Sequence, residues 1–497
     1  MASLGKSFVW LFLAEFLFYV SGYVVHMGAG RILGVEDYGR YTLVITITIL
    51  LANLIGAGLP IAMGKFLSAT IARRDFSQVL VIKRKIAWWQ MLSMMGVGGV
   101  FFLSSHQIAL LLGDVSLGPL FAFASLIIPL YGADLYYFHY YSGLKRFEIQ
   151  SWLKFARSLL RMSFILALAY WFHIEGMIAG YITVPLLVFV LAWFLDRKLK
   201  IEEGDKNQDE ERKKETMPFS FRSVVSLAGS TILFLVLFEI LVSFDLYVLK
   251  YITGSDVLVG DYGAALTVAR IPTFLFYALT LILLPTISEA RILKDEYRAK
   301  NLISLALRYM FFLSLPMVVI LSMFSLPVVT MLFGSSFFGA SVILPQLVFS
   351  MAFLTILYVF GFAFIGAGKS MIPVWIGLSA LFFNGILILF FLKNQMTPME
   401  ALLLSKNMVA FFVGLGVLLF VYREFESKLS FRDVLVTCIL GIFLFGVTLF
   451  IRQFHGGTIP TISMLFYTPL LFIFYVGGLI LFRCIGKEDI RLIRERV

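Results

Sequence analysis

Six charged side chains fall within apolar runs long enough to cross a bilayer: Glu15, Asp134, Arg161, Glu239, Asp245 and Arg270. A charge at mid-membrane costs about 2.5–3.5 kcal/mol on insertion scales, so each needs a partner or a task. Arg161 and Arg270 carry guanidinium forks, which stay charged and match phosphate oxygens geometrically. Both could receive an anionic headgroup. Each also has a carboxylate at matching depth on the preceding antiparallel run, Asp134 for Arg161 and Asp245 for Arg270. The alternative reading is therefore two ion pairs, each locking a hairpin. The readings are compatible, since an ion pair can open when a phosphate competes. Glu15 and Glu239 can take up a proton in a low dielectric, which would couple transport to an H+ or Na+ gradient. Alternatively, each bonds a neighbouring helix or faces a hydrated cavity. Arg31 and Arg40 flank the loop after the first run. They could hold a phosphate or an acidic sugar near an exit, or snorkel to lipid phosphates.

Other chemistry is sparse. His26 and His139 stand alone among aromatics and read as packing residues. No His, Cys, Asp or Glu spacing suits a metal, and no cofactor is expected. Tyr131 to Tyr141 is dense in tyrosine; this reads first as an interfacial belt, with stacking on sugar rings as the functional alternative. Cys438 and Cys484 read as free thiols or small apolar fillers. No loop carries a carboxylate pair, a Ser/His set or a phosphate-cradling glycine run, so an enzyme is not expected.

These residues are positioned by an unusually apolar chain. Of 497 residues, 60% are hydrophobic and 14% charged, and mean hydropathy is +0.93. A soluble fold needs a larger charged shell, and a disordered chain is far more polar. Continuous runs of about 20 residues exclude a transmembrane barrel, whose strands alternate over about 10. Fourteen such runs extend from Phe8–Ala29 to Ile462–Phe482. With the N-terminus inside, 33 of the 41 Lys and Arg fall on cytoplasmic segments, which places both termini in the cytoplasm and the chain in the cell's cytoplasmic membrane. The net charge of +11 is thus an orientation signal and not a nucleic-acid footprint. The expected organisation is a six-helix bundle over 1–195, a polar cytoplasmic linker over 196–221, a second six-helix bundle over 222–421, and a helix pair with a basic tail over 422–497.

The bundles read as a tandem repeat. Asp37-Tyr38-Gly39 returns as Asp261-Tyr262-Gly263, and Glu15 as Glu239, each 224 residues on. Lys145 and Lys369, Leu59-Pro60 and Leu284-Pro285, and Gly113 and Gly334 follow at nearly the same offset. Six helices separate the copies, so the repeats are parallel and related by an axis along the membrane normal.

This plan, with Arg31-Ile32-Leu33-Gly34-Val35-Glu36-Asp37-Tyr38-Gly39-Arg40-Tyr41 after the first run, resembles a known family. It is similar to the polysaccharide-transport branch of the multidrug/oligosaccharidyl-lipid/polysaccharide (MOP) exporter superfamily, which includes the Wzx-like O-antigen flippases and the MATE-like fold. The resemblance covers the chain in topology and short patches in motif. It implies an all-α integral membrane fold of 14 transmembrane helices, with two bundles around a central cavity and alternating access between its sides. It further implies movement of polyprenyl-pyrophosphate-linked oligosaccharide from inner to outer leaflet, with basic cavity residues meeting the pyrophosphate and the last two helices forming a lipid-facing groove. Expected partners are that substrate, membrane lipids and polysaccharide polymerase or ligase machinery, with the chain itself monomeric. A cation-coupled multidrug exporter of the same fold is the alternative.

Overall fold

The computed structural model describes residues 2–56, 58–72, 76–198, 221–427, 430–456 and 459–484. Most of the expected linker and the basic tail lie outside the described residues. The described chain is helical: α1 Ala2–Gly56, α2 Gly58–Ala72, α3 Phe76–Leu111, α4 Leu117–Ala124, α5 Ile127–Gly143, α6 Phe147–Lys198, α7 Phe221–Thr253, α8 Asp256–Ala269, α9 Ile271–Ile292, α10 Glu296–Met323, α11 Ser325–Phe333, α12 Phe338–Gly366, α13 Met371–Lys393, α14 Pro398–Phe425, α15 Phe431–Phe454 and α16 Thr461–Leu481.

Among the described residues, twelve helical runs are long and apolar enough to cross a membrane. The sequence reading counts fourteen, and the difference lies in two double-length runs, Leu13–Leu54 and Phe147–Arg197. A straight 51-residue helix would be about 75 Å long, over twice the hydrocarbon thickness. Neither run is straight. In α1, Gly34 adopts φ 75°, a left-handed conformation open to glycine without steric cost. Beyond it the chain doubles back: His26 Nδ1 and Tyr38 Oη lie 3.1 Å apart, although twelve residues of straight helix would separate them by about 18 Å. In α6 the break falls at Phe172 and His173. There Gly180 returns against Ile165, so close that a Cβ on Gly180 would sit 2.7 Å from the Ile165 Cα.

The chain divides by its contacts into two units, Met1–Gly260 and Asp261–Val497. The repeat assigns α7 to the second bundle, but α7 packs on α1 and α2 and falls in the first unit. In that unit the folded arms of α1 and α6 form the largest helix contact, with α5 against both. In the second unit α12 packs between α9 and α14, and α15 lies along α10. Gly113 and Gly334 both end their helices with positive φ, at 70° and 103°.

One close approach closes an end of the first unit. A Cβ on Gly39 would lie 2.1 Å from the Asp256 carbonyl oxygen, and one on Gly260 would lie 1.9 Å from that of Val35. Both obstacles are backbone, so neither can swing aside. We expect Gly39→Ala to cost about 1–3 kcal/mol, as overpacking does. Its melting temperature in detergent should fall, while Gly96→Ala, which has open space around it, should leave that temperature level or slightly raised. Equal melting of the two variants would contradict the close approach.

Candidate functional site

The first arm of α6 presents Lys154, Arg157 and Arg161 at i, i+3 and i+7, one helical face. Glu15, Phe18 and Gly22 fall on one face of α1 by the same spacing. The two faces meet, with α5 closing the side. Lys154 pairs with Glu15, and its ammonium also lies over the Phe18 and Phe138 rings. Arg157 pairs with Asp134 at 2.6 Å and stacks its guanidinium over Phe18 and Tyr131. Arg161 has no carboxylate at ion-pairing distance among the described residues. Its neighbours are the Phe18 and Tyr181 rings and the Tyr181 hydroxyl, to which Nη2 donates at a long 3.5 Å. Tyr181 in turn shares a 3.0 Å hydrogen bond with Tyr41, and His26 and Tyr38 complete an aromatic ladder beyond it.

This arrangement corrects the expected pairing of Asp134 with Arg161. Asp134 is taken by Arg157, one turn earlier on α6. The reason is helical depth: Arg157 and Lys154 lie within the membrane-length run Phe147–Arg197 and not in the loop where their charges were counted. The signal was present in the 154-157-161 spacing, which marks a shared face before any partner is known.

A second charged cluster lies at the Gly39–Asp256 close approach. Lys250, only 1% exposed, bonds Asp114 and Asp256, both at 2.7 Å. Arg40 bonds the other Asp256 oxygen at 3.0 Å and reaches Glu36 at 4.0 Å. Arg40 is therefore anchored to protein and not snorkelled to lipid. Lys250 and Lys406 are both buried. Arg31 is exposed, as expected of a residue at a helix turn.

In the second unit, Arg270 is half-buried at the break between α8 and α9, followed by Pro272 in the first turn of α9. Asp245 is fully buried on α7 of the first unit, so these two residues belong to different units and are described separately. Glu239 accepts a 3.1 Å hydrogen bond from Ser243. Tyr262, the repeat counterpart of Tyr38, is fully buried and meets Lys406 Nζ at 3.2 Å. Each repeat tyrosine thus meets a nitrogen-bearing side chain, His26 in one unit and Lys406 in the other.

The tyrosine-rich segment is not a belt. Tyr136, Tyr137, Tyr140 and Tyr141 are buried against one another. Tyr141 donates to the Ala192 carbonyl at 2.7 Å and Tyr136 to the Lys83 carbonyl at 2.9 Å. All four rings are buried, so a sugar-stacking role finds no exposed ring at these positions. Both cysteines are free thiols, Cys484 buried and Cys438 half-buried. Among the described residues, no group of three or more metal-ligating side chains gathers.

Two outcomes follow. Arg157→Ala leaves Asp134 buried without its partner and should destabilise by about 3–5 kcal/mol, whereas Arg157→Lys should recover part of this. Thermal melting in detergent measures both. Asp114 gives a pH dependence. Burial pushes its carboxyl upward, but hydrogen bonds from Lys250 and Ser116 outweigh burial and hold it below its usual range. A depressed folded pKa means the stabilisation is complete above the unfolded value, roughly 3.9, and is lost as pH falls through the folded one. Melting temperature should therefore drop below about pH 4, and Asp114→Asn should blunt that drop. An identical acid profile for the variant would refute the linkage.

The comparisons with known proteins agree with this architecture. A family model described as "Polysaccharide biosynthesis protein" matches residues 4–291. Among solved structures, the lipid II flippase MurJ in an inward closed conformation aligns with TM-score 0.66 and 16% identity, over 96% of this chain and 99% of that one. An inward-facing multidrug resistance MATE family transporter of the MOP superfamily aligns with TM-score 0.66 and 11% identity, over 83% and 94% of the two chains. A mutant of the Vibrio cholerae MATE transporter VcmN gives 0.60 and 16%, over 86% and 98%. These identities carry the fold alone. No curated protein matches the sequence.

Proposed function

We propose that this chain, which belongs to the polysaccharide biosynthesis protein family, is a flippase for polyprenyl-pyrophosphate-linked oligosaccharide. The observation that carries the reading is Arg161. It is a permanently charged fork in a membrane-length helix, held by aromatic faces and one hydroxyl with no carboxylate near enough to pair among the described residues. Such a cation is costly in hydrocarbon unless an anion visits it. Lys154 and Arg157 on the same face add positive charge, and a diphosphate offers several oxygens to such a stripe. Arg270 at the α8–α9 break is our candidate for a second contact with the headgroup or its sugars, and Arg31 for a contact along the route.

The substrate moves from the inner to the outer leaflet by alternating access. Both termini lie in the cytoplasm, and α15 and α16 accommodate the lipid tail. Glu15 and Glu239 are the groups through which an H+ or Na+ gradient would act. A cation-coupled multidrug exporter shares the fold, but a site whose uncompensated charge is positive disfavours cationic drugs.

The test is flipping in proteoliposomes. Arg161→Ala, in correctly inserted protein, should slow translocation of a polyprenyl-pyrophosphate sugar roughly tenfold or more, since a hydrogen bond to a charged group is worth about 1.5–3 kcal/mol. Unchanged flipping would refute the assignment. Copurification of only bulk phospholipid, combined with export of organic cations, would favour the multidrug reading instead.

A further inference from the structure

The two carboxylates of the polar seam are not equivalent. Asp134 is 5% exposed, lies beneath Arg157, and its partner's guanidinium is fixed by stacking on Phe18 and Tyr131. Glu15 is 23% exposed, stands on the opposite helix and bonds Lys154, a single-point ammonium on a flexible stem. Two carboxylates against three cations leave a surplus of one positive charge, located at Arg161. A diphosphate brings about two negative charges or more, as a phosphate ester does. Arg161 alone cannot balance it, and a further cation must be released from its present partner.

We infer that Glu15 is a built-in stand-in for the substrate's phosphate: it occupies Lys154 when the site is empty and is displaced when an anion binds across Lys154 and Arg161. Lys154 and Arg161 lie on one face two turns apart, about 10 Å along the axis. Both side chains are long enough to converge on a bridging diphosphate between them. Asp134 stays on Arg157 throughout, because removing it would strand a buried guanidinium. Glu15 loses less on release, since it already reaches a less enclosed environment. The exchange keeps the seam near neutrality in both states, and this holds down the cost of an empty cationic site in hydrocarbon. It also sets the affinity: the anion must outcompete a tethered carboxylate, so binding is weaker than the three cations alone would give. By linkage, whatever weakens the Glu15–Lys154 pair strengthens anion binding by the same factor. The inference rests on the anion-site reading of the seam.

The experiment compares the full-length protein with Glu15→Gln and Asp134→Asn, in detergent. Calorimetry measures inorganic pyrophosphate and, separately, farnesyl diphosphate. Glu15→Gln should bind both about tenfold more tightly, the size of one charge-assisted contact. Ligand should also raise its melting temperature more than that of the wild type, a readout independent of calorimetry. Asp134→Asn should not tighten binding, and its unliganded melting temperature should fall. If the wild type binds through Arg161 but Glu15→Gln binds no more tightly, the stand-in role is overturned and the anion site survives. Equal tightening by Asp134→Asn would overturn the distinction between the two carboxylates. If neither diphosphate binds the wild type or Glu15→Gln, both the inference and the anion site fail. Binding of farnesyl diphosphate but not pyrophosphate, tightened by Glu15→Gln, would support the exchange and assign the site to a lipid-borne anion.

Discussion

A charge that enters hydrocarbon must be matched from within the protein, because no water is there to solvate it. This constraint organises the first unit. Three cations on α6 draw Glu15 from α1 and Asp134 from α5 into one seam. Burial of Lys250 in protein sets a similar demand, and Asp114 and Asp256 meet it, with Arg40 on the other Asp256 oxygen. In the α6 seam the pairs join residues from different helices. They act on helix register and not only on local stability, because a helix shifted by one turn would leave its charges opposite lipid or methyl groups. Arg161 departs from the rule, since no carboxylate among the described residues pairs with it, and its aromatic surroundings compensate only partly, as cation–π contacts contribute about 0.5–2 kcal/mol.

The helical scaffold supports these clusters through close contact. Gly39 and Gly260 let backbone meet backbone beside the Lys250 network, and Gly34 lets α1 double back so that His26 can reach Tyr38. The buried tyrosines at the end of α5 do comparable work. They pack against one another, and Tyr136 and Tyr141 donate to carbonyls of α3 and α6. Hydrocarbon offers little hydrophobic drive for helix association, so close packing and interhelical hydrogen bonds must supply it.

The repeat joins these local observations. Its second copy reproduces the buried tyrosine and the left-handed glycine but changes the chemistry around them. Lys406 takes the place of His26 beside the tyrosine, and Ser243 stands near Glu239 where Lys154 meets Glu15. The duplicated scaffold therefore carries unlike polar groups, with the surplus of basic side chains on the α6 face of the first unit.

The apolar runs and the identity of the charged residues were legible in the sequence. Hydropathy and residue spacing are properties of the chain itself, and the 154-157-161 pattern alone marks a basic face. Partnership was not legible. Depth matching suggested Asp134 with Arg161, yet the fold gives Asp134 to Arg157, because one helical turn of offset between packed helices changes which side chains meet. Nor does hydropathy reveal that the fold buries Lys250 and Lys406. Tyrosine density suggested an interface, yet the rings pack inward. In each case the sequence determined which groups exist and roughly how deep they lie. Only tertiary packing, which sets rotation and offset between helices to within a turn, decided which of them touch.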